Sequence, residues 1–532
     1  MWVTRYPACP SRNDYNPGWQ RGGTVTSGFI FFLITLAGSL LLDGTVRPRR
    51  SGGWRWQGIL VHLLIETGTF GLFLACLGNS PLAMISVVGA TALLTVTSNA
   101  KFAMLGEPLL FSDFALLAAV VRHPRFYLTA ISSGQRRTLM IVPPALLVAF
   151  ALLFVPRLQP HLIGLALMVG AGVGLPLLFK SPAYARVAQT PDIETDLPGL
   201  GLIATLLLYW WRWRATSDPK PCPVSSSPGR SDPAPYIVVL VQCESFADPV
   251  ELTGEAGHAL AGLARARASA WQWGDLNVSG FGAYTMRTEY GVLFGRSDAA
   301  LGFRRYDPFL TAHGETSYAL SARLRHYGYR SLFVHPHDMR FYGRDRLMPA
   351  IGFERLIGEE SFAPIPPGGG RYIDDVTLGA ALGNLIDEAV EPTLIYAVTM
   401  ENHGPWDVDQ CTGSSGGIDA YLRHLHSSDD MLTGLIDRLS DTGQPALLVF
   451  FGDHRPSIPG VTEPGGDRHT PYVMLRFSAD GRTVAGPNRR VDLMPDQLHH
   501  AILDGVQSGN HAIPSESATP DIRADTAGSG LP

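Results

Sequence analysis

The sequence predicts a two-part chain: an α-helical polytopic membrane domain over residues 1–214, then an α/β soluble domain over 236–507 with a largely parallel sheet and helices on both faces. Three observations predict it. Long apolar runs crowd the first 214 residues, a Pro- and Ser-rich stretch follows, and beyond it helical and strand patterns alternate, with strand after strand ending in a carboxylate or an imidazole. At 532 residues, with 46% hydrophobic content and a positive mean hydropathy, the chain is too long for one average domain and too apolar for an ordinary soluble one.

The apolar runs are Val25–Leu42, Ile59–Leu77, Leu82–Thr97, Leu139–Val155, Leu162–Phe179 and Leu197–Trp211. Each approaches the ~17–25 residues that span a bilayer, the third and sixth being short, so five or six spans are expected. Residues 1–24 lack the pattern of a cleavable signal. Leu109–Val121 is apolar but carries Ser112 and Asp113, which suits an interfacial or re-entrant segment. Arg47, Arg49, Arg50 and Arg55 follow the first run, and Lys101, Arg122, Arg125, Arg136 and Arg137 follow the third. The positive-inside rule puts both loops in the cytoplasm and, with six spans, everything after Trp211 outside it. Tyr209, Trp210, Trp211 and Trp213 read as an interfacial aromatic belt. His62 and Glu66, inside the second run, are read as helix-packing or hydrogen-bonding groups ahead of a functional role.

Residues 215–235 form a Pro/Ser-rich linker without apolar period, and 508–532, small and polar, read as a disordered tail. The net charge of −5 and the scatter of Lys and Arg argue against nucleic acid as a partner. Five cysteines show no zinc-like spacing; Cys222 and Cys411 are the pair that could form a disulfide.

In the soluble part, Tyr236–Val241 is a continuous β-branched run, as expected of a strand covered on both faces. Helix-then-strand units follow: Glu315–Tyr327 into Ser331–Val334, Leu378–Val390 into Thr393–Thr399, and Ala420–Leu439 into Ala446–Phe451. Such repetition predicts a largely parallel sheet, whose ligand site lies beyond the carboxyl ends of the strands. Those ends carry Glu244; His335, His337 and Asp338; Asn402 and His403; and Asp453 and His454. A lone acid or histidine there is usually a cap, but four strands ending this way point to a metal or catalytic centre. A Gly-rich turn also runs into a helix that begins near Thr285. By itself Thr285 reads as an N-cap; beside a metal its hydroxyl becomes a nucleophile.

Five motifs in order, Glu244-Ser245-Phe246, Thr285 with Glu289, Phe341-Tyr342-x-Arg344-Asp345, Asn402-His403-x-Pro405-Trp406 and Gly452-Asp453-His454, resemble the lipoteichoic acid synthase branch of the alkaline phosphatase/sulfatase superfamily. The likeness spans Tyr236 to about Leu475. It implies a multi-pass protein of the cell membrane with an extracytoplasmic catalytic domain that transfers phosphoglycerol. Glu244, Thr285, Asp453 and His454 would hold one divalent ion, manganese first, with magnesium and zinc as alternatives, and Thr285 would be the nucleophile. His403 and Arg344 would hold phosphoryl oxygens, with Tyr342, His335 and His337 lining the substrate pocket. Tyr342 takes the place of a Trp, and His337 stands where the family pattern has an Asp. The implied donor is a phosphatidylglycerol-like phospholipid and the implied acceptor a cell-envelope glycan or polymer. A second ion would need further ligands, for which His469, Asp374 and Asp375 are spare.

Sulfate ester hydrolysis would need Cys or Ser in C/S-x-P-x-R. Cys9-Pro10-Ser11-Arg12 lacks that spacing and precedes the first span. Phosphoethanolamine transfer, phosphoric ester hydrolysis and a non-enzymatic role in envelope assembly are the alternative readings.

Overall fold

The structure, a computed structural model, describes residues 18–49, 52–115, 133–223, 234–366, 370–406, 417–484 and 488–507. The chain divides into two compact units, Met1–Ser217 with Leu301–Asp307, and Asp218–Ala300 with Pro308–Pro532. The C-terminal tail, Cys411, Arg50, Arg122, Arg125 and residues 224–233 of the linker fall outside the described residues.

The first unit is helical: α1 (Gly18–Asp43), α2 (Trp56–Leu77), α3 (Ser80–Leu105), α4 (Ser133–Leu152), α5 (Leu158–Phe179), α6 (Ile193–Leu200) and α7 (Leu202–Ala215). Three of them, α2, α3 and α5, are long and apolar enough to cross a membrane; Ser27–Asp43 and Met140–Leu152 are shorter apolar stretches. The sixth run is not one helix. Gly201, at φ 87°, breaks it into α6 and α7, and the 14 residues of α7 rise only about 21 Å.

The loop after α1 is joined to the end of α3 through Arg47 N–H to Asn99 Oδ1 (2.8 Å), and to the α6–α7 corner through Arg55 N–H to the Gly199 carbonyl (2.8 Å) and Leu202 N–H to Asp43 Oδ1 (2.8 Å). The opposite end of α2 meets the connection before α5, where Val155 N–H donates to the Leu77 carbonyl (2.9 Å). Arg47, Arg55 and Lys101 thus share an end of the bundle with the corner from which α7 starts. Tyr209 and Arg212, in the last turns of α7, contact Asp196 and Tyr184 at this same end. Two of these basic residues have carboxylate partners: Lys101 Nζ lies 2.5 Å from Asp113, and Arg55 lies 3.6 Å from Asp196. Along α2, His62 lies 3.1 Å from Ser39 Oγ and Glu66 accepts from Thr91 Oγ1 at 3.1 Å, so both are hydrogen-bonded groups of the helix packing.

The second unit is built on an eight-stranded sheet, β1 (Ile237–Cys243), β2 (Gln272–Leu276), β3 (Arg330–Val334), β4 (Arg355–Ile357), β5 (Thr393–Val398), β6 (Ala446–Gly452), β7 (Thr470–Phe477) and β8 (Arg489–Arg490), in the order β4-β3-β5-β1-β6-β7-β2-β8. β4, β3, β5, β1 and β6 are parallel; β7 runs antiparallel to both β6 and β2. Every residue of β1, β5 and β6 is buried, as strands covered by helices on both faces must be. The expected helices appear as Leu320–Arg325, Asp375–Asp387 and Ile418–Asp441, the first shortened by a 3₁₀ segment over His313–Tyr318. The stripe Tyr421, Leu425, Leu432, Leu435, Ile436 and Leu439 packs into the same core as Val239, Val241, Leu448 and Phe450.

Register decides what the sheet presents. Cys243 of β1 pairs with Gly452 of β6, so the next residues, Glu244 and Asp453, leave the sheet side by side. Neighbouring strands lie about 4.8 Å apart, a spacing at which two carboxylates can share one cation. A side chain at Gly452 would strike the Phe246 carbonyl, which explains glycine before Asp453.

Candidate active site and metal centre

Glu244, Asp453 and His454 are buried, and one ligand atom of each lies within 4.8 Å of the others. Thr285 completes the group as the first residue of the helix Thr285–Phe294. Its Oγ1 donates to Glu244 Oε2 at 3.3 Å and lies 3.4 Å from His454 Nε2. The N-cap position belongs to Tyr284, whose side chain makes no capping bond, so Thr285 is not the cap that its position suggested.

The turn before it is tight. Gly282 has φ 62°, and a side chain there would collide with Ser457. Tyr284 follows at φ 79°; Ser245, next to Glu244, has φ 50°, and Tyr342, two residues before Arg344, has φ 57°. Non-glycine residues rarely adopt this conformation, and it gathers where side chains are held for function.

The centre has the electrostatics of a cation site. Burial pushes the Asp453 carboxyl up to about 7, with Glu244 adding to the shift and His454 opposing it. For Glu244, burial acts upward too, but His454, His403 and the hydroxyls of Ser245 and Thr285 outweigh it and hold the group low. Burial would lower His454; Asp453 and Glu244 overcome that and raise it. Asp453 Oδ1 accepts from the Ser245 and His454 amides at 2.7 and 2.8 Å, while its Oδ2 is buried without a hydrogen-bond partner. An orphaned carboxylate oxygen beside a second carboxylate and an imidazole nitrogen is the donor set of a hard or borderline dication. We expect manganese at about 100 times its Kd to stabilise the protein by about 2.7 kcal/mol. Thermal unfolding with and without chelator checks this, and Asp453→Ala should show no shift.

Beside the centre is an aromatic and imidazole wall. The His337 ring lies 6.0 Å from Phe341 and from Tyr372, and Tyr372 lies 5.7 Å from His403. Tyr342 packs on Phe341 at 4.5 Å, with the Arg344 guanidinium 5.2 Å from its ring. Tyr372 had no motif to announce it; it comes from the loop before the helix Asp375–Asp387. His403 Nδ1 lies 2.7 Å from the Gly404 carbonyl. Burial, with Arg344 and His403 close by, brings His337 down to about 4 despite Asp338, so it is a neutral ring.

Two expected substrate ligands are placed differently. His335 is buried, with Nδ1 donating to the Val398 carbonyl at 3.0 Å and Nε2 accepting from Arg344 Nη1 at 3.1 Å. Burial and then Arg344 hold it well below its ordinary pKa. With both nitrogens used inside the protein, His335 is a brace between β3, β5 and Arg344, which corrects its assignment to the substrate pocket. Arg344 is itself buried and forked onto Glu289, Nε to Oε1 at 3.1 Å and Nη2 to Oε2 at 2.5 Å. This pair ties the nucleophile's helix to the Phe341–Asp345 motif. Asn402 is another brace, its Nδ2 donating to Ser428 Oγ at 2.9 Å. The spare ligands considered for a second ion are used elsewhere. Asp374 caps its helix through Thr377 N–H (2.7 Å), Asp375 accepts from Ser428 (2.6 Å), and His469 clusters with Glu251 and Arg455.

With this geometry in view, the Sulfatase family profile matches residues 237–502. The capsular polysaccharide biosynthesis protein RkpI of Rhizobium meliloti is 30% identical over 440 residues, 77% of this chain and 80% of that protein. Among solved structures, the full-length lipooligosaccharide phosphoethanolamine transferase A of Neisseria meningitidis aligns over 90% of this chain and 95% of its own, at 13% identity and a TM-score of 0.52. The phosphoglycerol transferase GacH of Streptococcus pyogenes covers 53% of this chain and 77% of its own, at 18% identity and a TM-score of 0.43.

Proposed function

This chain belongs to the sulfatase family, and from that premise we propose a membrane-anchored, metal-dependent transferase that moves phosphoglycerol from a phosphatidylglycerol-like lipid to a cell-envelope glycan or polymer through phosphothreonine at Thr285. The observation that carries it is the convergence of Thr285 Oγ1 on Glu244 and His454, beside Asp453. Glu244, Asp453 and His454, with Thr285, would hold the ion, manganese before magnesium or zinc. When bound it supplies the positive charge that lowers the pKa of a hydroxyl beside it.

In the first half-reaction Thr285 Oγ loses its proton and bonds to phosphorus, the bond from phosphorus to the diacylglycerol oxygen breaks, and that oxygen takes up a proton. In the second, an acceptor hydroxyl attacks the same phosphorus, the Thr285–phosphorus bond breaks, and Thr285 is reprotonated. His403, felt electrostatically by Glu244, would orient the phosphoryl group and relay these protons, with Tyr342, His337 and Tyr372 lining the headgroup pocket. Arg344 would reach phosphoryl oxygen only with the N–H groups that Glu289 and His335 leave over.

Glycerol is favoured over ethanolamine by charge. The wall offers a neutral His337, a tyrosine hydroxyl and Arg344; Asp338, the acid that follows His337, is chelated by its own neighbour Arg340 at 2.7–3.1 Å. Among the described residues of this wall, an ammonium headgroup would meet a carboxylate already paired with a guanidinium. In this reading the catalytic domain lies outside the cytoplasm, where envelope acceptors are. RkpI is named for capsular polysaccharide, which supports a glycan acceptor. Full-length protein in vesicles of phosphatidylglycerol should release diacylglycerol at least about tenfold faster than in vesicles of phosphatidylethanolamine. The reverse preference would replace phosphoglycerol by phosphoethanolamine.

A further inference from the structure

Arg455 directly follows the last metal-binding candidate, and neither the family motifs nor the proposed reaction gives it a task. Its backbone carbonyl receives two hydrogen bonds. His454 Nδ1 lies 3.1 Å from it, and because a carbonyl can only accept, Nδ1 carries the proton and Nε2 is left as the lone-pair nitrogen. Nε2 is the atom 3.4 Å from Glu244 Oε1 and 3.6 Å from Asp453 Oδ2. The Gly282 N–H donates to the same carbonyl at 2.8 Å, and Gly282 sits in the tight turn that delivers Thr285. One oxygen therefore sets the imidazole tautomer and anchors the nucleophile's loop.

The side chain holds that oxygen in place. Arg455 Nε donates to the His469 carbonyl at 2.7 Å, and Nη2 lies 3.1 Å from Glu251 Oε2 and 2.7 Å from His469 Nε2. The loop after β6 is thereby fastened to the residue before β7 and to the helix Pro249–Thr253. Glu251, Asp275 and His469 have the composition of a second metal site. Glu251 and His469 meet directly at 2.8 Å with the guanidinium nitrogen against both, and Asp275 takes a second cation, Arg490, at 2.8 Å. The cluster is a dock for arginine.

We infer that Arg455 is a positioning residue: its guanidinium, docked on Glu251 and His469, fixes the carbonyl that orients both His454 for the metal and the turn that carries Thr285. This rests on the metal centre proposed above. Groups that orient metal-binding histidines are typically worth about 10- to 100-fold in affinity.

The test is manganese titration by calorimetry on the full chain in detergent, with folding checked by circular dichroism. Wild type should bind one ion. Arg455→Ala should bind it at least about tenfold more weakly and lose kcat with little change in KM, because the hydroxyl and the imidazole are misaligned and the lipid pocket is not. Arg490→Ala, which removes the other cation of the cluster without touching the loop, should bind manganese as wild type does. Glu251→Gln, a milder loosening of the dock at a half-exposed side chain, should weaken binding in the same direction and serves as the test if Arg455→Ala does not fold. Unchanged affinity in a folded Arg455→Ala protein, or in Glu251→Gln where the former fails to fold, overturns the inference. So does a wild-type stoichiometry of two ions that drops to one in Glu251→Gln. Wild type that binds no manganese, magnesium or zinc would instead remove the metal centre itself.

Discussion

Thr285→Ala is expected to lower transfer by more than about 10⁴-fold and to leave no covalent intermediate, the scale on which a lost nucleophile is felt in enzymes that work through one. The fold should survive. Thr285 occupies the first turn of its helix, its hydroxyl is directed at Glu244 and His454, and the cap position belongs to Tyr284. Thr285→Ser keeps the hydroxyl and should retain measurable turnover. Release of diacylglycerol from labelled phosphatidylglycerol, followed for the three proteins side by side, checks the order wild type, Ser, Ala. An alanine variant within tenfold of wild type would mean that water or acceptor attacks the lipid directly.

The second large effect is on stability. Arg344→Ala should destabilise the catalytic unit by about 3–5 kcal/mol, because it leaves the buried Glu289 without its partner. Arg344→Lys should recover little: a lysine makes a single point contact and cannot reproduce the fork that spans both carboxylate oxygens. Changing both partners together, Arg344→Met with Glu289→Gln, should cost far less than Arg344→Ala alone, since no buried charge is left over. Denaturant unfolding of the four proteins measures this. If the double variant is as unstable as the single one, packing and not the ion pair is what Arg344 contributes.

The site was legible in the sequence where it depends on strand ends. A continuous apolar run that stops at Glu244 or Asp453 carries both the strand and its functional terminus, and parallel pairing then brings such termini together whatever the details of the helices between. What could not be read were pairings across long chain separations that leave no local pattern. Glu289 and Arg344 stand 55 residues apart, and Arg455 and Glu251 stand 204 apart. The sequence therefore suggests Arg344 as a phosphate ligand and assigns Arg455 to none of the five motifs. His335 looked like a pocket residue because its strand-end position is right; only the direction of its ring, toward Val398 and Arg344, shows otherwise. The antiparallel part of the sheet was missed too. β7 begins Thr470-Pro471 and β2 is a five-residue strand with a central glycine, both poor signals for a strand. In the helical unit, the carboxylate partners of Lys101 and Arg55 likewise leave no local pattern.

The most direct measurement is peptide mapping of the wild-type protein after brief exposure to manganese and phosphatidylglycerol vesicles without acceptor, quenched in acid. The expected result is a glycerophosphate adduct on the peptide containing Thr285, absent from Thr285→Ala and discharged when acceptor is added. An adduct on any other residue, or diacylglycerol release at full rate with Thr285 never modified, would contradict a mechanism that runs through this threonine.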